Sequence, residues 1–204
     1  KAFLTFLCFA SVASAGPTIV YVSESHEKRI AVWSLDEKTG ELTRQGETAL
    51  QGAPGSLALS PDHRHLYASV RSAKQFATLD VDAKTGALSN ATFADAGFNA
   101  AYVFADKTGR WLLAASYSEG VVGLSAIQNG RVTGLPVVTL ETGKKAHCIQ
   151  TDPSNRFAFV PHVGELNKVE QLRFDAQAGT LTRNTPPHLP GGAGEGPRHM
   201  QFHP

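Results

Sequence analysis

From Thr18 onward, apolar residues fall in short runs rich in β-branched and aromatic side chains, broken by clusters of Gly, Pro, Asp, Asn and Ser. No window shows a useful 3.6-residue apolar stripe, so the pattern predicts strands and turns in place of helices. Three strands are expected over 18–23, 29–35 and 41–47. Three sets of four follow: 56–60, 65–70, 75–81 and 87–91; then 100–104, 111–115, 120–126 and 132–138; then 147–151, 157–161, 168–174 and 180–184. One more first strand is expected over 198–202.

These sets repeat. A turn and short strand recur at 36–43, 82–89, 128–133 and 175–182, with glycines at 40, 86, 130 and 179. A second marker recurs at 60–67, 105–112 and 152–159, and His203-Pro204 opens a further copy. A period of this size built from strands and turns predicts an all-β fold, a β-propeller with about four strands per blade. The chain holds about four blades' worth. It starts without Met and stops inside a marker, so the sequence reads as the front part of a longer propeller. The other arrangement is a four-bladed ring closed by 198–203 against 18–50.

The repeat permits a comparison within one sequence. Six positions before Pro61, Asp106, Pro153 and Pro204 stand Gly55, Ala100, His147 and Arg198. Two copies carry small residues and two carry groups capable of chemistry. A fold requirement would give all four copies a similar side chain. One reading is drift at a solvent-facing strand end. The other is that His147 and Arg198 begin innermost strands of consecutive blades and share a site at the channel mouth. Arg198 offers a planar fork of donors for an anion, and His147 titrates near neutral pH and can act as a base.

Four further residues are candidates for substrate contact. His199 follows Arg198 and is expected on the opposite face of its strand, between blades. His162 ends the strand after His147's own. Glu24 ends a strand of the first blade, and Lys145 precedes His147. The glycine-rich stretch 190–197 before Arg198 allows close approach of backbone to a ligand.

Composition narrows the partners. The net charge is +1 and no basic run is interleaved with aromatics, which argues against nucleic acid. Residues 1–15 carry a basic start, an apolar run and an Ala13-Ser14-Ala15 cleavage site, the pattern of a secretory signal. A periplasmic or secreted protein is expected, with residues 16–204 as one propeller domain. The apolar run is too short to span a bilayer, and Leu7 before Cys8 argues against a lipid anchor. Cleavage leaves Cys148 without a disulfide partner or a cysteine zinc site. No nucleophile elbow, phosphate loop, HExxH or calcium loop is present; His63 and His65 read as a solvated hairpin. No metal and no cofactor are expected.

Residues 195–204, Glu-Gly-Pro-Arg-His-Met-Gln-Phe-His-Pro, together with 147–161, resemble the lactonase family of seven-bladed β-propellers. That family includes bacterial propeller-type 6-phosphogluconolactonases and fungal carboxy-muconate cyclases. The resemblance implies metal-independent hydrolysis of a small-molecule lactone at the top of the channel. It implies a site of one histidine, two arginines and one glutamate. The histidine matches His147 and the first arginine Arg198; the other two would lie beyond Pro204. Where the family often has Asp-Arg after its Val-Pro segment, this chain has Asn167-Lys168. A lactonising cyclase and a non-enzymatic binding propeller are the competing readings.

Overall fold

The computed structural model describes residues 17–203, so the expected signal at 1–15 lies outside the described residues. Among the described residues, fifteen strands form four antiparallel sheets, each built in chain order. β1 (Thr18–Glu24), β2 (Arg29–Leu35) and β3 (Leu42–Ala49) make a three-stranded sheet. β4 (Pro54–Leu59), β5 (His65–Val70), β6 (Gln75–Val81) and β7 (Leu88–Asp95) make the second. β8 (Tyr102–Ala105), β9 (Trp111–Ala115), β10 (Val121–Gln128) and β11 (Arg131–Glu141) make the third. β12 (Gln150–Thr151), β13 (Phe157–His162), β14 (Lys168–Asp175) and β15 (Thr180–Pro190) make the fourth. These are consecutive propeller blades. The only helical turns among the described residues are Arg71–Ala73 and Gly164–Leu166.

The core lies between blades because each middle strand buries both faces. Leu112 and Leu113 are neighbours on β9 and point to opposite sides. Leu112 packs with Tyr67, Phe76 and Phe98 toward the second blade, while Leu113 packs with Ile149, Val160 and Leu172 toward the fourth. Ile30, Leu66, Ala68 and Leu79 join the first blade to the second. Each fully buried Leu or Phe contributes about 1.5–3 kcal/mol. The uninterrupted apolar runs of β5, β9 and β13 follow from this two-sided burial.

Polar anchors set the hairpin between first and second strands. Asp106, fully buried, accepts from the backbone N–H of Arg110 at 3.0 Å and Trp111 at 2.9 Å. Asp152 accepts from Arg156 and Phe157, both at 2.9 Å, and Ser60 Oγ accepts from His65 at 3.0 Å. Asp106 is therefore the counterpart of Ser60 and Asp152, and Lys107 that of Pro61 and Pro153. This corrects the sequence register by one residue. The third-blade counterpart of Gly55, His147 and Arg198 is Ala101; Ala100 is buried in the core. The hydrogen-bonding side chain, not the proline, is the fixed point of the turn.

The innermost strands of the third and fourth blades are shorter than expected. β12 covers only Gln150–Thr151, although Ala146 bridges His162. Residues 198–202 form no strand; they run beside the fourth blade, with the Phe202 ring 5.7 Å from Phe159.

The marker glycines hold successive blades in contact. Gly86, Gly130 and Gly179 have φ of +71°, +77° and +68°. A Cβ on each would lie 2.7 Å from Ile19, 2.1 Å from His65 and 2.2 Å from Trp111. Those three residues each belong to the blade before the glycine's own. Tyr21 and Tyr67 complete two of these seams, donating to the carbonyls of Gly86 at 2.8 Å and Gly130 at 3.0 Å. Gly40 has φ +75°, but a Cβ there would meet nothing within 4 Å. Gly179→Ala is expected to cost about 2–4 kcal/mol, combining left-handed strain with overpacking on Trp111. Gly40→Ala carries the strain alone, about 1–2 kcal/mol. Urea unfolding of both variants checks this; equal losses would remove the seam from the explanation.

Candidate active site

Two repeat positions converge on one cleft of about 700 Å³, lined by Arg71, Ala101, Tyr117, His147, Val163, Gly196 and Arg198. Ala101, His147 and Arg198 come from the chain just before the innermost strand. Arg71, Tyr117 and Val163 each follow the second strand of their blade, one residue past Val70, Ser116 and His162. Strand alternation explains the division. Val70, Ser116 and His162 are fully buried, and the next residue in each blade turns to the cleft.

His147 and Arg198 are in direct contact. Arg198 Nε donates to His147 Nε2 at 3.0 Å. His147 is fixed by its backbone N–H, which donates to Pro161 O at 3.1 Å, and by the Tyr117 ring, edge-on at 5.7 Å. Since Nε2 accepts, the proton of the neutral ring sits on Nδ1, which is buried without a partner among the described residues. Burial pushes the His147 pKa below the ordinary histidine value, and the nearby Arg198, His199 and Arg71 push it the same way. The imidazole is therefore neutral near pH 7, with its Nε2 lone pair directed at Arg198.

His199 does not sit on the far side of a strand. It is exposed, with its ring 4.7 Å from His147 and 6.4 Å from Tyr102. Without a ladder over 198–202 the two-residue alternation is not enforced, and consecutive side chains both reach His147. The glycine-rich stretch is pinned by Asn167, whose Oδ1 accepts from Gly196 N–H at 2.8 Å and whose Nδ2 donates to Gly192 O at 2.5 Å.

The other three candidates lie away from the cleft. His162 is fully buried; its Nδ1 donates to Lys144 O at 3.1 Å, and burial lowers its pKa. Glu24, at the end of β1, pairs with Arg29 and, at 3.3 Å, with Arg44. Lys145 has a left-handed backbone (φ 68°) and its Nζ lies 3.7 Å from Glu165, along the β13–β14 turn.

Arg71 and Tyr117 escape the sequence reading. Comparing repeats at the innermost-strand position alone does not reach them; carried to the end of the second strand, the same comparison gives Arg71, Tyr117 and Val163. Arg71 Nε donates to Asn99 Oδ1 at 3.0 Å, and Asn99 N–H donates to Glu119 at 3.3 Å. Glu119 is ionised: burial raises its pKa, but hydrogen bonds from Ser116, Ser118 and Lys74 and the Asn99 N–H bring it down to about 2. Among the described residues, no cluster of His, Cys, Asp or Glu is arranged to hold a metal ion.

A sequence profile described as "Lactonase, 7-bladed beta-propeller" matches residues 18–204. The chain belongs to this lactonase family. It is 35% identical over 185 residues to a 6-phosphogluconolactonase of Yersinia pestis, covering 91% of this chain and 54% of the relative. A 6-phosphogluconolactonase of Yersinia enterocolitica is 33% identical over 186 residues, covering 91% of this chain and 55% of the relative. The chain thus spans a little over half the length of the curated relatives it matches. Two solved structures share the fold. A candidate 6-phosphogluconolactonase of Bacteroides fragilis has a TM-score of 0.81 at 19% identity, covering 95% of this chain and 60% of that one. A periplasmic gluconolactonase of Pseudomonas aeruginosa has a TM-score of 0.74 at 22% identity, covering 90% and 57%.

If Arg198 helps hold His147 neutral, removing its charge raises the histidine's pKa. In Arg198→Met, NMR titration of the His147 ring is expected to show protonation at higher pH than in the unsubstituted protein. An unchanged midpoint would remove Arg198 from the causes.

Proposed function

We propose that the full-length protein hydrolyses a sugar lactone without a metal, as the names of its 6-phosphogluconolactonase relatives suggest, and that His147 and Arg198 carry the reaction. The observation that supports this is the direct His147–Arg198 contact at the mouth of the cleft, in a chain of the lactonase family. Neutral His147 takes a proton from water through Nε2 as the water oxygen attacks the lactone carbonyl carbon. The carbonyl oxygen gains the negative charge, and the Arg198 guanidinium, drawn from the imidazole, stabilises it. The ring C–O bond then breaks, and the departing oxygen takes the proton back from His147. The product is a hydroxy acid, and His147 is restored. The family's glutamate and second arginine have no counterpart assigned in this chain.

His147→Ala in the full-length protein is expected to lower kcat for a δ-lactone by about 10²–10⁴-fold without loss of the folded state by circular dichroism. Retention of the full rate would refute the assignment.

The same proposal places the enzyme outside the cytoplasm, supported by the basic start, apolar run and Ala13-Ser14-Ala15 of residues 1–15. A fusion of residues 1–20 to a phosphatase active only after export is expected to give phosphatase activity. An inactive cytosolic fusion would overturn the exported location.

A further inference from the structure

The geometry points to Arg71 as the residue that selects substrates bearing an anionic group, phosphate or carboxylate, remote from the ester bond. This rests on the lactonase reading above and adds the substrate class to it. Three observations carry it. First, the residues lining the cleft include two guanidinium groups, Arg71 and Arg198, and no carboxylate. Arg198 is engaged with His147, whereas Arg71 uses only its Nε, on Asn99. Its two terminal nitrogens make no hydrogen bond among the described residues, which leaves the fork suited to phosphate or carboxylate unoccupied.

Second, Arg71 is aimed. Asn99 orients the guanidinium, and ionised Glu119 holds Asn99 through its backbone N–H. Glu119 itself is saturated by Ser116, Ser118 and Lys74, so its charge is directed away from the cleft.

Third, space has been made for it. Gly55 holds in the second blade the repeat position of His147 and Arg198. A Cβ there would lie 2.8 Å from Arg71 Cδ. Where later blades present a side chain from the innermost position, the second blade presents Arg71 lying across a glycine. Arg71 is close enough to depress protonation of His147, yet separate from the His147–Arg198 contact. That placement suits binding of a substituent and not bond cleavage.

The test compares unsubstituted full-length protein with Arg71→Ala and Arg71→Lys on 6-phosphoglucono-δ-lactone, a carboxylate-bearing glucarolactone and neutral glucono-δ-lactone. The unsubstituted protein is expected to have its lowest KM on one of the two anionic lactones, and that preference tells phosphate from carboxylate. Arg71→Ala should raise this KM by roughly 10–100-fold, the loss of a charged hydrogen-bonding pair. At about pH 8, where the imidazole is neutral with or without Arg71, kcat should stay within a few-fold on every lactone, and the neutral lactone should keep its KM. Arg71→Lys keeps the charge without the fork and should fall between. Equal losses on all three lactones, or no loss on any, would overturn the selection role. If the unsubstituted protein hydrolyses none of them, the lactonase reading fails, and calorimetry with 6-phosphogluconate and glucarate tests Arg71 by itself. Binding abolished by Arg71→Ala upholds an anion site; absent binding, or binding that Arg71→Ala leaves unchanged, rejects it.

Discussion

Everything in this fold depends on how closely one blade can lie against the next, and a glycine sets that approach. Gly86, Gly130 and Gly179 each put bare backbone where any side chain would collide with Ile19, His65 or Trp111. The left-handed φ turns the hairpin at that point, and the absence of Cβ lets the preceding blade close over it. The apolar clusters between sheets can pack because the blades meet at this spacing. The same spacing fixes the angle between blades, and so decides which loop ends reach a common cleft.

The cleft inherits the repeat. Two repeat positions supply most of its lining, one before the innermost strand and one after the second strand. The scaffold is indifferent to what they carry: glycine, alanine, histidine and arginine at the first, arginine, tyrosine and valine at the second. The backbone supplies geometry and single side chains supply chemistry. His147 shows the division, since a main-chain bond to Pro161 holds its place while Arg198, from the next copy of the repeat, sets its electrostatics.

Strands such as 65–70, 75–81 and 111–115 are legible to the residue, because middle strands buried on both faces read as continuous apolar runs. The innermost strands are less so. Around His147 and Arg198 the chain keeps its course but loses its ladder, and sequence alternation cannot report a strand that lacks pairing. This is why His199 is expected on the wrong side. Ala100 stands in for Ala101 because Asp106 lies beside the position that proline marks elsewhere, and only its hydrogen bonds reveal its true counterparts, Ser60 and Asp152. His162 fails as a cleft residue for a simpler reason. It ends its strand on the buried face, and a single residue's shift changes which face a side chain takes. Glu24 is taken up instead by the arginines of its own blade. His147 and Arg198 emerge from asking which repeat position varies; Arg71 needs the same question at a second position.

Gly55 gives the cleft a form of control that leaves no trace in a roll of contacting residues. Arg71 lies over the innermost position of its blade because that position carries no side chain. A methyl group there would meet both the flexible middle of the arginine and the buried Ser69 hydroxyl, each at 2.8 Å, and would displace the guanidinium. What the second blade offers a ligand is thus written partly in a vacancy. Preference among ligands can drift through a residue that never touches one.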